Sequence, residues 1–214
     1  MFNRHSIALK LPLRFDQEPL RQDLAGIPEE WWGRHLGPYH DGNWEAVALW
    51  APGGSRSEQR SRGAAFAATD ALTQSPGFRQ VIDSMPGRRS RIRLMRLRPG
   101  GAIFRHSDPM EDIDPNLVRL HLPIVTNPEV DFRVNDRRIV MLPGEVWHVD
   151  VRFPHEVYNR GDSMRVHLVM DLLRTPELDA ILTRGESMGE GRLTWYFAKQ
   201  MIPRRVRVRM GLGN

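Results

Sequence analysis

Cysteine is absent from the 214 residues, so no disulfide can staple the chain and no thiolate can hold a metal. Any metal centre must be built from imidazole and carboxylate, which narrows the ion to Fe(II), Mn(II) or Zn(II). Long apolar runs are missing too. Nothing approaches the roughly 20 consecutive apolar residues that a membrane-crossing helix needs. The opening Met1-Phe-Asn-Arg-His-Ser-Ile-Ala-Leu-Lys10 lacks the long apolar core of a secretion signal. The expected location is therefore the cytoplasm. Internal repeats and low-complexity segments are also lacking.

What is present is ordinary in bulk: 40% hydrophobic and 27% charged residues suit a globular chain. Its length allows one domain with a substantial core, or one domain plus a small appendage. The formal charge is +5, the pI is near 10.3, and the positive residues are nearly all arginine. Such a balance can mark anionic partners. Here 26 acidic residues are interspersed with the basic ones, so the excess reads as solvated surface charge. Nucleic acid is not the expected partner, the basic tail aside.

Proline and glycine divide the chain. Residues 1–40 carry Pro12, Pro19, Pro28 and Pro38, too many interruptions for long helices, although Pro19–Leu24 can begin a short one with Asp16 as a cap. Trp31 and Trp32 read as packing anchors. Asn43–Trp50 reads as a strand closed by Pro52-Gly53-Gly54, Ser55–Gly63 as an exposed loop, and Thr69–Leu72 as a weak turn. Phe78, Val81, Ile82 and Met85 recur at helical spacing, so 77–85 is expected to be an amphipathic helix.

From Arg91 the period changes to two. Strands are expected at 91–98, 102–108, 117–125, 130–134, 137–142, 145–151, 156–158 and 164–172, punctuated by Pro99-Gly100-Gly101, Asn135-Asp136, Pro143-Gly144 and Asn159-Arg160-Gly161. Eight short strands at this density point to a mainly β, two-sheet jelly roll rather than alternating β and α units. A short helix at 177–183 follows. Arg204-Arg-Val-Arg-Val-Arg-Met210 then alternates as a strand with one basic face would.

Three residues within Gly101–Asp171 carry the strongest chemical signal. In Ile103-Phe-Arg-His-Ser-Asp108, extended backbone puts His106 and Asp108 on one side. His155 follows a later apolar run, in Arg152-Phe-Pro-His-Glu-Val157. Two neutral imidazoles and one carboxylate form the ligand set that holds a non-haem Fe(II) and leaves coordination positions open for oxygen and a co-substrate. Arg165 opens another apolar strand. Its guanidinium could grip a dicarboxylic acid through a two-pronged contact. Arg119 and His121 share one face of Leu117–Val125 and need partners inside a barrel. Asp150 could orient a ligand imidazole or cap a turn.

These features, with Arg119-Leu-His-Leu-Pro-Ile-Val-Thr-Asn127, Pro143-Gly-Glu-Val-Trp-His-Val-Asp150, Pro154-His-Glu-Val-Tyr-Asn159 and Arg165-Val-His-Leu-Val-Met-Asp171, make residues from about 39 to 178 resemble the bacterial aspartyl/asparaginyl β-hydroxylase-type Fe(II)/2-oxoglutarate oxygenases, in their small-molecule branch. The resemblance implies a double-stranded β-helix (jelly-roll, cupin-like) with flanking N-terminal helices. One oxygenase domain is expected over 1–175 (core about 91–172), followed by a C-terminal extension over 176–214 whose basic tail the resemblance does not cover.

The cofactors implied are Fe(II), 2-oxoglutarate and O2, with His106, Asp108 and His155 on the metal and Arg165 on the far carboxylate of 2-oxoglutarate. Arg119 and His121 would contact its carboxylate near the metal, a structural hydrogen-bond network being the alternative. Met95 stands where the family often has a serine, and Arg93, two positions back, could compensate. Tyr39, His40 and Asn43 fall where substrate contacts are expected. The implied activity is hydroxylation of an unactivated C–H bond of a small or amino-acid-like molecule, with 2-oxoglutarate decarboxylated to succinate. The competing reading is a cupin-like metal-dependent isomerase or small-ligand binder. Those usually show His-x-His with a further Glu and His, which this chain lacks. The sequence gives no signal of oligomeric state.

Overall fold

The computed structural model describes residues 4–58, 65–108 and 116–192. The Leu193–Met210 segment, with its Arg/Val alternation, and the end of the Ser55–Gly63 loop lie outside them. Two antiparallel sheets face each other as a jelly roll. The larger runs β14 (Glu186–Ser187), β2 (Ala8–Arg14), β11 (Glu145–Val149), β8 (Leu117–Val125), β13 (Arg165–Leu173), β6 (Arg88–Leu97), β4 (Trp44–Pro52) and β3 (Gly33–Arg34), with β5 (Phe66–Ala68) beside β4. The smaller runs β10 (Arg137–Arg138), β9 (Val130–Val134), β12 (His155–Asn159) and β7 (Ala102–His106). A pair apart, β1 (Arg4–Ser6) and β15 (Glu190–Arg192), joins the two ends of the described chain.

The large sheet is buried on both faces, but by different chemistry. Its outer face presents Val47, Leu49, Ile92, Leu94, Val118, Leu120, Leu122, Leu168, Met170 and Leu172 to the helices, all within 0% exposure. Each such Leu or Ile contributes roughly 1.5–3 kcal/mol when removed from water. The alternate residues point between the sheets: Arg93 and Met95 on β6, Arg119 and His121 on β8, and Arg165, His167, Val169 and Asp171 on β13. Period two therefore sorts one strand set into an apolar core outside and a charged lining inside.

The helices follow from local signals. α1 (Glu18–Ala25) has Pro19 in its first turn, and the Glu18 N–H donates to the Asp16 carboxylate at 3.1 Å. The turn expected at Thr69–Leu72 is a helix, α2 (Asp70–Thr73), because the Thr69 hydroxyl accepts from the Leu72 N–H at 3.2 Å. α3 (Pro76–Ser84) buries Phe78, Val81 and Ile82 as its spacing predicts. α4 (Pro176–Leu182) is capped in the same way by Thr175 and buries Leu178 and Leu182. Trp31 and Trp32 pack against the outer core while Arg56 and Arg96 stack on their rings at 4.7 and 4.3 Å.

Further differences from the sequence reading follow from how the strands pair. Residues 1–40 contain a full strand, β2, which Pro12 disguises. Lys10 pairs with Trp147 and Arg14 with Glu145, so a bulge in β2 accommodates a residue that cannot donate to the ladder. The strand expected at 137–142 stops at Arg138, on the open edge of the small sheet, after a two-residue turn at Asn135 (φ 48°) and Asp136 (φ 66°). Residues 176–192, read as the start of an extension, return through β14 and β15 to pair with β2 and β1. Among the described residues no helix is long and apolar enough to cross a membrane.

Candidate metal centre

His106 and His155 are direct cross-strand partners on β7 and β12, which brings their ring centroids to 4.3 Å. Each ring is oriented in the same way. His106 Nδ1 lies 2.7 Å from the Phe104 carbonyl and His155 Nδ1 lies 3.0 Å from the Phe153 carbonyl, contacts only an Nδ1–H can satisfy. Both Nε2 lone pairs are thereby left facing inward. Asp108 follows the end of β7, its N–H donating to the Val151 carbonyl at 3.0 Å. Its Oδ1 stands 3.4 Å from His106 Nε2 and 3.8 Å from His155 Nε2. One ligand atom from each of the three residues lies within 4.8 Å of the others. Burial holds the His155 imidazole neutral, with its pKa pushed down to about 4. Burial would raise the Asp108 carboxyl, but Arg119 and His106 outweigh it and keep it well below the usual range. Two inward-facing imidazole Nε2 atoms and an ionised carboxylate, without sulfur, fit a ferrous ion held on one face.

The triad borders a cavity of about 270 Å³ between the sheets. Arg165 lines it at 2% exposure. One Nη donates to His167 Nδ1 at 2.8 Å, Nε has no acceptor, and among the described residues no carboxylate pairs with it. Burial alone pushes its pKa down to about 9. His167 Nδ1 also lies 3.4 Å from His121 Nδ1, and burial holds both rings neutral. Arg93, 3% exposed, faces the same cavity with Nε unmatched and an Nη 3.5 Å from Asp171. Burial and the neighbouring Arg91 push its pKa down to about 9 as well. The buried indole N–H of Trp44 is a third lining donor without an acceptor.

The other expected residues separate cleanly. Arg119 and His121 both line the cavity. Arg119 makes two parallel bonds to Asp171, at 2.7 and 3.1 Å, and a third to Asp108. Tyr39 lines the cavity and stacks on the His106 ring at 4.7 Å. His40 does not line it: its Nδ1 accepts the Gly42 N–H and its Nε2 faces the His35 carbonyl. Asn43 donates to Asp41. Asp150 accepts from the Arg152 N–H and from its guanidinium, so it serves the turn before His155 and reaches neither imidazole. Met95 lines the cavity beside Arg93.

Sequence reasoning missed His35, His167 and Asp171. His35 stacks on Trp44 at 3.6 Å and its Nδ1 accepts the Gly37 N–H. Burial and Arg93 push its pKa down to about 2, so it presents a neutral ring to the cavity. A lone His in a Gly/Pro-rich segment carries no spacing signal. Asp171 did carry one: an acid inside an apolar strand must find a partner there.

Comparison with known proteins converges on one group. The sequence model of the family described as aspartyl/asparaginyl beta-hydroxylase matches residues 16–175. The chain is 27% identical over 180 residues to L-proline cis-4-hydroxylase of Rhizobium meliloti (strain 1021), covering 81% of this chain. It spans only 63% of that relative's length. Among solved structures it is similar to a Pseudomonas putida prolyl-4-hydroxylase, with a TM-score of 0.51 at 16% identity over 79% of this chain and 94% of that one. A 2OG-Fe(II) oxygenase family oxidoreductase from Burkholderia pseudomallei gives 0.51 at 18% identity, over 79% and 85%. The structural likeness is one of fold.

Proposed function

The chain belongs to the aspartyl/asparaginyl β-hydroxylase family, and from that premise we propose that it is an Fe(II)- and 2-oxoglutarate-dependent dioxygenase. Its reaction is hydroxylation of an unactivated C–H bond in a small, carboxylate-bearing, amino-acid-like substrate. When bound, ferrous iron with 2-oxoglutarate and O2 supplies the oxidising power, one oxygen atom entering the substrate as 2-oxoglutarate becomes succinate and CO2. The observation that carries the reading is the pairing of a His-Asp-His face with a buried guanidinium, Arg165, that has no acid beside it among the described residues.

In this reading each residue has one task. His106, Asp108 and His155 would hold the ion and, being only three ligands, would leave coordination positions for co-substrate and oxygen. Arg165 receives the far carboxylate of 2-oxoglutarate. A buried cation without a counter-charge is costly, and a carboxylate removes that cost while fixing the ligand's orientation. His121, neutral and lining the cavity, contacts the co-substrate between those two ends; Arg119 borders it from the Asp108 side. Arg93 Nε and the Trp44 indole N–H are two further cavity-lining donors without an acceptor among the described residues, and they suit the carboxylate of the substrate. Tyr39 on His106 and the apolar side chains of Ile103, Val157 and Val169 exclude water around the reacting carbon.

The test has two stages. Anaerobic addition of Fe(II) and 2-oxoglutarate to the purified protein should give a visible metal-to-ligand charge-transfer band; its absence refutes the assignment. Turnover with 18-oxygen gas and a panel of free amino acids, L-proline included, should then give succinate and one product carrying a single labelled oxygen.

A further inference from the structure

Asp171 has the lowest exposure of any charged residue among those described, 0%, and the proposed chemistry gives it no task. Three guanidinium groups surround it. Arg119 sits directly across the β13–β8 ladder and donates through Nε to Oδ1 at 2.7 Å and through Nη2 to Oδ2 at 3.1 Å. Arg91 donates to Oδ2 at 3.1 Å, and an Arg93 Nη lies 3.5 Å away. The remaining end of Arg119, Nη1, donates to Oδ2 of Asp108. The other oxygen of Asp108, Oδ1, faces the two imidazole Nε2 atoms. A continuous line of contacts thus runs from a fully buried acid to a residue assigned to the metal.

We propose that Asp171 is a positioning residue for the metal centre. By occupying two nitrogens of Arg119 it leaves only one for Asp108, so Asp108 is tied through Oδ2 and presents Oδ1 alone to the ion. The inference rests on the assignment of Asp108 as a metal ligand.

The geometry gives the reason such a device is needed. Asp108 lies beyond the last residue of β7, outside the strand ladder. A free guanidinium beside a carboxylate prefers the two-pronged pairing, which would engage both oxygens of Asp108 and compete with the ion. A carboxylate free to rotate could also chelate through both oxygens and use a position that the co-substrate or oxygen requires. Asp171 prevents both outcomes because Arg119 already makes its two-pronged pair with Asp171. Partners of this kind behind a ligand typically set metal affinity by about 10–100-fold.

The experiment measures Mn(II) affinity of the full chain from the electron paramagnetic resonance of the free ion, without turnover. In the otherwise unaltered protein, Asp171→Asn should weaken Mn(II) binding about 10–100-fold with the near-ultraviolet circular dichroism unchanged. In an Arg119→Gln background the same substitution should change affinity less than about twofold, because the route through Arg119 is already cut. An equal loss in both backgrounds would mean that Asp171 acts by charge alone and would overturn the proposal, as would an Asp171→Asn protein that binds like the parent. Arg119→Lys keeps the charge but cannot make the three-point contact. It should lose about tenfold or more, and unchanged affinity there overturns the proposal even if Asp171→Asn does not fold. A parent protein that binds no Mn(II) or Fe(II) would refute the metal site itself, a separate result.

Discussion

Arg165→Met separates what this guanidinium costs the ligand-free protein from what it contributes to a bound dicarboxylate. The side chain is 2% exposed, its one hydrogen-bonded partner among the described residues is the His167 ring, and the Phe132 ring lies 5.6 Å from its centre. Burial depresses its pKa to about 9. A base whose folded pKa is lowered destabilises the fold wherever the group is charged. That penalty is complete below about pH 9 and fades as pH rises toward the value of a free guanidinium in the unfolded chain. At about 1.4 kcal/mol per tenfold change in proton affinity it is on the order of 5 kcal/mol. Methionine fills similar volume without charge, at the loss of one hydrogen bond of roughly 1 kcal/mol. Replacing buried ions by apolar groups is often neutral or stabilising by about 1–4 kcal/mol. For a chain of this size each kcal/mol moves Tm by about 2–4 °C, so the ligand-free variant should melt no lower than the parent and up to about 10 °C higher.

With 2-oxoglutarate the order should reverse. Ligand at about 100 times its Kd stabilises the parent by roughly 2.7 kcal/mol, a rise of about 5–10 °C in Tm. Two charge-assisted hydrogen bonds of about 1.5–3 kcal/mol each are lost in Arg165→Met, weakening the co-substrate by roughly 10²–10⁴-fold. The same ligand concentration should then leave the variant's Tm unmoved. Thermal melts of the Mn(II)-loaded proteins across a 2-oxoglutarate series decide the matter. A ligand-free variant that melts below the parent, or one that keeps the ligand-induced rise, refutes the reasoning.

His155→Ala removes one of three ligand atoms, and should abolish ferrous binding and succinate formation while far-ultraviolet circular dichroism stays native; retained turnover would disprove its role. Arg93→Met should lower kcat/KM for a free amino acid substrate at least about tenfold, the equivalent of one charge-assisted bond. It should also erase the preference for that acid over its methyl ester, with the KM for 2-oxoglutarate unchanged. Gly144 has φ +84° and a Cβ there would stand 2.6 Å from the Phe15 carbonyl. Gly144→Ala should therefore cost about 1–3 kcal/mol or more, read as a fall of several degrees in Tm, with metal affinity preserved.

Arg119 and Arg165 show where sequence reading works and where it stops. Each opens an Arg-x-His triplet in an apolar strand, Arg119-Leu-His121 and Arg165-Val-His167. Period two correctly turns all four side chains to the inside of a barrel, whereas Asp108, expected on the same strand as His106, lies two residues past the end of β7. The outer core and the eight-strand rhythm are legible for the same reason, since alternation is written in single residues. What separates the two arginines is the residue across the sheet. The ladder sets Asp171 opposite Arg119 and Leu97 opposite Arg165. One guanidinium is thereby neutralised within the fold and directed at Asp108, while the other is left buried with no acid beside it among the described residues. That distinction is a matter of register, which depends on which strands pair and on bulges such as the one at Pro12, and no spacing within one strand encodes it. A conservative exchange should therefore read differently at the two positions: lysine at 119 disturbs the metal first, and lysine at 165 disturbs the co-substrate first.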